Sequence, residues 1–455
     1  MMRDRSRLRQ ALNCFRLSGK TPRTTLPVPG YSVRVMTGCG SMAIALDHVS
    51  ILRSGAKVGT DSPSQLMTAS TPQPRITLAA HDFLWLGQQA LYFQKLNALR
   101  NFYSTRVRPE VEGIHPQFAH NFKFGHYAYR GWQTYLQRRV GTWGYLQIVR
   151  LFDFWLRSSI EWDTDLLTVL SGLGLNTFRA AKKRGIPTVV DCGSTHTDFQ
   201  HRIVLEESKR NGINRPLFPK AYRDRVRAEF EIAVYIQLPS DFVIRTFIEN
   251  GVDPKKLLLA PYGADLEVFK PRPGFDESQP FRVICPSGIN VRKCARVLAE
   301  VWRKLGWKDA ELIWIGAITP ETQHLFKPPL PGLRLEPGRP HPQLAELYRS
   351  CDVFVLPSFE EGLARVLLEA AACGLPLIAT PNTGVEEFFS PGAPEGWLIP
   401  VNDLDALCAA LTEAKADREK TFALGQRAAT RARTGFSWDD YGKRALANYE
   451  RVLRR

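Results

Sequence analysis

Two glutamates, Glu361 and Glu369, stand eight residues apart in the stretch Leu356-Pro-Ser-Phe-Glu-Glu-Gly-Leu-Ala-Arg-Val-Leu-Leu-Glu-Ala-Ala-Ala-Cys-Gly-Leu-Pro-Leu-Ile-Ala-Thr. The run reads as a buried strand ending at Pro357, a Gly-containing loop, a helix from near Gly362, Gly374 as its C-terminal cap, and another strand. A helix start leaves unpaired amides, here those of Gly362, Leu363 and Ala364. Together with the positive end of the helix dipole they predict an anion site suited to a diphosphate. Glu361 stands at its mouth, and Glu369 lies roughly 12 Å further along the axis at about 1.5 Å per residue. Carboxylates accept paired hydroxyl donors, so the two suit sugar hydroxyls at two points along one ligand. Taken bare, the same pair also fits an N-terminal helix charge and a solvated face residue, so the surrounding elements must decide.

Those elements alternate regularly. Strands are predicted at 281–286, 311–315, 353–356 and 375–380, with helices at 294–305, 343–350 and 363–373; this order gives βαβ units and a parallel sheet. In the N-terminal half, Arg75-Ile-Thr-Leu-Ala-Ala reads as a strand and 86–99 as a helix. Gly185-Ile-Pro-Thr-Val-Val-Asp and Ala233-Val-Tyr-Ile-Gln-Leu read as further buried strands. The polar segment Pro271-Arg-Pro-Gly-Phe-Asp-Glu-Ser-Gln-Pro is the best linker in the chain. The expectation is an α/β molecule of two Rossmann-like domains facing each other across a cleft, with the loops after Pro286, Ile315 and Leu356 turned toward it. Residues 1–74 carry ten Lys/Arg against three Asp/Glu and no sustained amphipathic period. They are expected to form a disordered basic extension.

With strand, Pro-Ser, Gly, helix, Cys-Gly-Leu-Pro and strand around the two glutamates, the chain resembles the retaining glycosyltransferases of family 4 (glycosyl transferases group 1, GT-B fold). Other stretches resemble that family in the same order. Leu238-Pro-Ser-Asp-Phe-Val-Ile-Arg-Thr-Phe-Ile-Glu-Asn-Gly with Ala260-Pro-Tyr-Gly-Ala-Asp is similar to its last N-domain strand, helix and interdomain turn. Cys285-Pro-Ser-Gly-Ile-Asn-Val-Arg-Lys is similar to its first donor-domain strand and loop, and Phe436-Ser-Trp-Asp-Asp-Tyr to the start of its C-terminal helix. The resemblance covers about residues 75–455, most strongly after 185. It implies an acceptor domain over 75–270 completed by a helix at 437–455, a linker at 271–280, and a nucleotide-sugar donor domain over 281–436.

The resemblance also assigns roles. Lys293 matches the cation that neutralises the donor diphosphate, Glu369 the residue on the ribose hydroxyls, and Glu361 the contact to the transferred sugar. The family's second cation falls on Gly288 here, and Arg292, beside Lys293, is the candidate to replace it. Val189-Val-Asp-Cys-Gly-Ser-Thr-His resembles a loop that faces the donor sugar across the cleft, which makes His196 the candidate polar contact, with Asp191 and His201 behind it. The loop Ala80-His-Asp-Phe-Leu-Trp-Leu-Gly lacks the paired glycines of many relatives. The implied reaction moves a sugar from a nucleotide diphosphate, UDP or GDP foremost, to a hydroxyl of a carbohydrate or lipid-linked acceptor in envelope polysaccharide or glycolipid synthesis. No cofactor is expected, and no metal, since no D-x-D donor loop occurs. Other enzymes fit the same scaffold, a nucleotide-sugar epimerase or a sugar phosphorylase, as does an idle basic protein that binds membrane or nucleic acid.

Composition bounds these readings. The 455 residues are 44% hydrophobic and 23% charged, which excludes disordered, collagen-like and disulfide-scaffold classes. A net charge of +16 favours a polyanionic partner: an anionic membrane surface, a phosphate-bearing substrate, or, less in keeping with the absence of a recognised module, nucleic acid. Residues 118–158 interleave twelve aromatics and six Lys/Arg with one acid, Asp153. That composition fits helical core packing or a lipid headgroup interface. The eight scattered cysteines form no C-x-x-C pair and read as reduced thiols. With no signal-length apolar stretch and no spanning run, a cytoplasmic protein is expected, one able to lie on the inner face of a membrane.

Overall fold

The computed structural model describes residues 73–132, 137–213 and 218–454. The expected N-terminal extension lies almost wholly outside them. Two parallel sheets organise the rest. The first comprises β1 (Ile76–Ala80), β2 (Leu99–Ser104), β3 (Ala119–Asn121), β4 (Leu166–Leu170), β5 (Thr188–Asp191), β6 (Tyr235–Leu238) and β7 (Leu257–Leu259) in the order β3-β2-β1-β4-β5-β6-β7. The second comprises β8 (Phe281–Cys285), β9 (Ala310–Ile315), β10 (Leu333–Glu336), β11 (Val353–Leu356), β12 (Leu377–Ala379) and β13 (Gly396–Leu398) in the order β10-β9-β8-β11-β12-β13. Every neighbouring pair in both sheets is parallel.

The strands explain this topology. Ile-Thr-Leu-Ala-Ala of β1, Leu-Leu-Thr-Val-Leu of β4 and Val-Phe-Val-Leu of β11 are buried at every position. Continuous apolar runs suit sheets covered by helices on both faces. In each sheet the winding reverses beside the first strand, β1 lying between β2 and β4 and β8 between β9 and β11. The crevice at the carboxyl ends of such strands is where open α/β sheets bind ligands.

The helix Trp438–Leu453 begins in a capping box between Ser437 and Asp440, then packs on the helix Leu84–Lys95 of the first sheet's layer. Tyr449 meets Phe93 edge-on at 5.8 Å, Gln89 Nε2 donates to Tyr441 Oη at 2.5 Å, and Gly442 leaves room for the Tyr92 ring.

Several predicted boundaries shift for local reasons. The helix expected over 86–99 spans Leu84–Lys95, and Leu99 opens β2 instead. Asn97 adopts a left-handed conformation (φ 56°), and the Ala98 amide returns to the Phe93 carbonyl at 2.8 Å, the closure that ends a helix. The helix expected from 363 starts at Arg365, and that expected from 294 at Ala295, because Cys294 is left-handed (φ 59°). The strand expected over 375–380 is paired only at Leu377–Ala379, after the left-handed Gly374 and Pro376. In the predicted linker, Arg272 is buried, donating to the Cys351 carbonyl at 2.6 Å, so this segment is anchored to the second sheet's layer.

Candidate functional site

The loop after β8 is shaped by its own side chains. Asn290 Oδ1 accepts the Lys293 amide at 3.1 Å, and Cys294 turns left-handed before the helix Ala295–Leu305. Arg292 and Lys293 are thereby aimed at the loop after β11. That second loop is held from behind by residues after β12. Asn382 Nδ2 donates to the Phe359 carbonyl at 2.8 Å, and the Glu361 amide donates to the Asn382 carbonyl at 2.8 Å. Thr380 Oγ1 donates to the Ser358 carbonyl at 2.7 Å.

Two cations and two carboxylates meet there. Lys293 Nζ pairs with Glu361 Oε1, and Arg292 Nη1 lies 3.3 Å from Glu361 Oε2. The same Arg292 nitrogen donates to the Glu360 carbonyl at 2.8 Å and lies 3.2 Å from Glu360 Oε2. Burial opposes the charge on Arg292, but Glu361 and Glu360 more than offset it and raise its pKa. No side chain at Gly288 takes part, and Arg292 brings a guanidinium to the cluster from four residues further along.

Glu360 is the residue the sequence reading missed. It is 0% exposed, and donors reach it from the other sheet's layer: Ser194 Oγ at 2.7 Å, Thr195 Oγ1 at 2.8 Å, the Thr195 amide at 3.1 Å and Gln200 Nε2 at 3.1 Å. Burial alone would push this carboxyl up; Arg292 and those donors outweigh it and hold the pKa below the ordinary glutamate value. The available signal was a Ser-Thr pair just past the end of β5, followed by Gln200 on the next helix. Nearby, Gly362 faces Gly193 so closely that a Cβ there would collide with the Gly193 carbonyl oxygen, and Ser240 Oγ donates to the Gly362 carbonyl at 2.7 Å. Glycine at 362 is what lets the two layers touch backbone to backbone.

The predicted anion amides are only partly as expected. Ala364 is the cap residue of the helix Arg365–Ala372, and its amide is taken by the Thr383 carbonyl at 3.1 Å. Among the described residues, no hydrogen-bond acceptor meets the amides of Gly362 and Leu363. Glu369, inside the helix, is 7% exposed, and no described residue donates a hydrogen bond to its carboxylate. Burial pushes this carboxyl up, with Arg365 and His341 partly opposing. A desolvated carboxyl with unfilled acceptor capacity suits a ligand that brings hydroxyl donors.

His196 is placed differently from the expectation. It is buried as the N-cap of the helix Thr197–Arg210, its Nδ1 accepting the Asp198 amide at 3.3 Å. Its ring packs against Phe230 (5.5 Å) and Phe247 (5.2 Å, edge-on), and burial lowers its pKa. The cap engages Nδ1 and the two aromatic rings pack on the imidazole, while Ser194 and Thr195 reach across to Glu360. Asp191 is buried too, accepting from Trp85 Nε1 at 2.5 Å and Gln237 Nε2 at 2.7 Å, its carboxyl pushed up to about 6 by burial. His201 lies on the same helix as Gln200, burial lowering its pKa, and makes no contact with the cluster. Among the described residues, no group of three or more His, Cys, Asp or Glu side chains is arranged to hold a metal ion.

Two doubly wound parallel domains, meeting at the carboxyl ends of their strands, define a molecule of the GT-B fold. Residues 280–417, which include Arg292, Lys293, Glu361 and Glu369, match the family described as glycosyl transferases group 1. The chain is 28% identical over 234 residues to the D-inositol 3-phosphate glycosyltransferase of Kineococcus radiotolerans, covering 45% of this chain and 53% of that protein. It is 26% identical over 302 residues to the MMP alpha-(1->4)-mannosyltransferase of Mycolicibacterium hassiacum, covering 64% and 72%. The match thus spans about half the length of the first of these relatives. Among solved structures, sucrose-phosphate synthase from Thermosynechococcus elongatus superposes with a TM-score of 0.63 at 16% identity, covering 84% of this chain and all of that one. Anabaena HepE in complex with UDP-glucose gives a TM-score of 0.59 at 16% identity, again over 84% of this chain and 100% of that one. At such identity these likenesses establish the fold.

Proposed function

We propose that the protein is a retaining glycosyltransferase of family 4, moving a sugar from a nucleotide diphosphate to an acceptor hydroxyl. The observation that carries this reading is the cluster of Lys293, Arg292 and Glu361 at the carboxyl ends of β8 and β11, beside the helix that holds Glu369. In this reading residues 281–436 bind the donor and residues 75–270, with the C-terminal helix, the acceptor.

Lys293 and Arg292 stabilise the diphosphate as charge develops on it, together with the amides of Gly362 and Leu363. Glu369 takes the ribose hydroxyls. Glu361, paired with Lys293, exchanges part of that pairing for hydroxyls of the transferred sugar as the diphosphate takes up the cation. No protein nucleophile is required: the acceptor attacks from the face the diphosphate leaves, and the enzyme contributes orientation and charge stabilisation. Two cations beside the leaving group make the reaction metal-independent. UDP is the leading donor base, supported by the HepE structure with UDP-glucose, with GDP the alternative.

The acceptor is a carbohydrate or a lipid-linked glycan of envelope synthesis. The helices Lys123–Gly131 and Gln137–Ser159 support a peripheral position on an anionic membrane. Their outer faces expose Phe124, Tyr127, Trp143, Leu151 and Phe154, alongside Lys123, Arg130, Arg150 and Arg157. The acid of this region, Asp153, is buried against Arg225 at 2.8 Å, while Leu146, Val149, Phe152 and Leu156 fill the core side. Among the described residues, no helix is long and apolar enough to cross a membrane.

Calorimetry of UDP, GDP, ADP, CMP and dTDP against wild type and Glu369→Ala tests the donor site. One nucleotide should bind, and the variant should lose about 1.5–3 kcal/mol through hydrogen bonds to a charged acceptor. A folded variant with unchanged nucleotide affinity would sink the ribose assignment. Proton NMR of the product then reads the anomeric outcome.

A further inference from the structure

We propose that Glu360 is a positioning residue that couples closure of the two domains to the placement of Arg292. This inference rests on the glycosyl-transfer reading above and adds a residue that none of the likenesses assigns.

The geometry divides one carboxylate between two bodies. Oε1 receives Ser194 Oγ, Thr195 Oγ1 and the Thr195 amide at 2.7, 2.8 and 3.1 Å. Oε2 receives Gln200 Nε2 at 3.1 Å and Arg292 Nη1 at 3.2 Å. Gln200 Nε2 also donates to Ser194 Oγ at 2.8 Å, which locks the donors to each other. Four of the five donors come from one short segment of the acceptor-side domain, residues 194–200. Only Arg292 belongs to the same domain as Glu360. Two ion pairs also cross between the domains: Arg245 with Glu386 at 2.7 Å, half-exposed and screened by water, and Arg296 with the buried Glu207 at 3.7 Å.

When the domains are together, the charge of Glu360 is spread over five donors, and its hold on Arg292 is weakened accordingly. The guanidinium then keeps N–H groups for Glu361 and for an arriving diphosphate. When the domains part, the carboxylate loses its partners on 194–200 at once. Arg292 is then its one remaining protein donor, so the carboxylate pairs fully with Arg292 and takes that cation out of service. Closure and activation of Arg292 are therefore one event, and donor and acceptor halves are brought together before the leaving group is stabilised.

Ser194→Ala/Thr195→Val removes two hydroxyls and keeps the shape. Glu360→Gln keeps an acceptor for Ser194 and Thr195 but offers Gln200 and Arg292 an amide nitrogen. Thr195→Ser keeps the hydroxyl and serves as the conservative control. Three readouts apply: small-angle scattering of the free protein, UDP affinity by calorimetry, and kcat and KM of sugar transfer. In the double variant the expected result is a more extended scattering profile and a kcat lower by about tenfold or more, as for the loss of buried hydrogen bonds to a charged group. UDP affinity should fall with kcat, because Arg292 drawn back onto Glu360 no longer meets the diphosphate, and Thr195→Ser should behave as wild type. Glu360→Gln should lower both kcat and UDP affinity.

Wild-type scattering and kcat in a folded double variant would overturn the proposal. A uniform loss of UDP affinity and kcat in all variants, Thr195→Ser included, would overturn it too, as a merely structural site. If wild type binds no nucleotide and transfers no sugar, the functional reading fails by itself. The scattering comparison still decides whether Glu360 holds the domains together.

Discussion

At the scale of single residues, polar side chains in the same loop have different fates according to what surrounds them. His196 caps its own helix and packs against Phe230 and Phe247, whereas Ser194 and Thr195, two and one positions earlier, reach across to Glu360. His196→Ala is expected to lower stability by about 1 kcal/mol for the lost cap, with a further loss from the aromatic packing. Turnover per folded molecule should persist, and His196→Asn should recover the cap share of the stability. Thermal unfolding beside kcat checks this: an unshifted melting temperature with lost turnover would return the histidine to the chemistry. The Glu361–Glu369 pair was legible from its surrounding motif, although only Glu369 lies in the helix Arg365–Ala372 and Glu361 stands in the loop before it. Glu360 was not, because adjacency in sequence says nothing about which of two neighbouring carboxylates turns toward a second domain. Both are buried, and their partners separate their tasks: Ser194 and Thr195 of the other domain hold Glu360, and Lys293 pairs with Glu361.

At the scale of elements, the strands were the most readable part, since continuous apolar runs bounded by glycine and proline leave few alternatives. Their ends were less readable. The helix carrying Glu369 starts two residues later than its pattern predicts because the Thr383 carbonyl captures the Ala364 amide, a partner nineteen residues away in sequence. The loop that bears Glu360 and Glu361 is likewise shaped from outside, by Asn382. Asn382→Ala should cost about 0.5–1.5 kcal/mol of stability through the lost Phe359 bond and also weaken nucleotide binding, as the two glutamates lose their fixed approach to Arg292 and Lys293. Asn382→Asp should not rescue it, since a carboxylate donates nothing to the Phe359 carbonyl. Unchanged nucleotide affinity in Asn382→Ala would mean that Thr380 and Thr383 suffice to hold the loop.

At the scale of the whole molecule, the charge of +16 finds an outlet on the outer faces of the helices Lys123–Gly131 and Gln137–Ser159. Trp143, Arg150, Phe154 and Arg157 recur there at helical spacing, with Arg157 lying 5.9 Å over the Phe154 ring. Composition had left core packing and lipid contact as competing readings of residues 118–158. The fold gives each reading its own face: Leu146, Val149, Phe152 and Leu156 are buried, and the exposed aromatic and basic side chains form the face for which we propose lipid contact. The protein should co-sediment with vesicles containing phosphatidylglycerol and not with phosphatidylcholine alone. Arg150→Glu/Arg157→Glu and Phe124→Ser/Phe154→Ser should each weaken that binding by about tenfold or more. Equal binding by wild type and variants would place the lipid contact elsewhere. The helix Trp438–Leu453 carries a different consequence. It covers Tyr92 and Phe93 of the first domain, yet it is translated after the whole second domain. At roughly 5–20 residues per second, the ribosome needs on the order of ten to thirty-five seconds to travel from Leu259 to Trp438. For that interval the nascent first domain waits with an apolar flank uncovered, a window in which chaperones and proteases compete with the arrival of its own last helix.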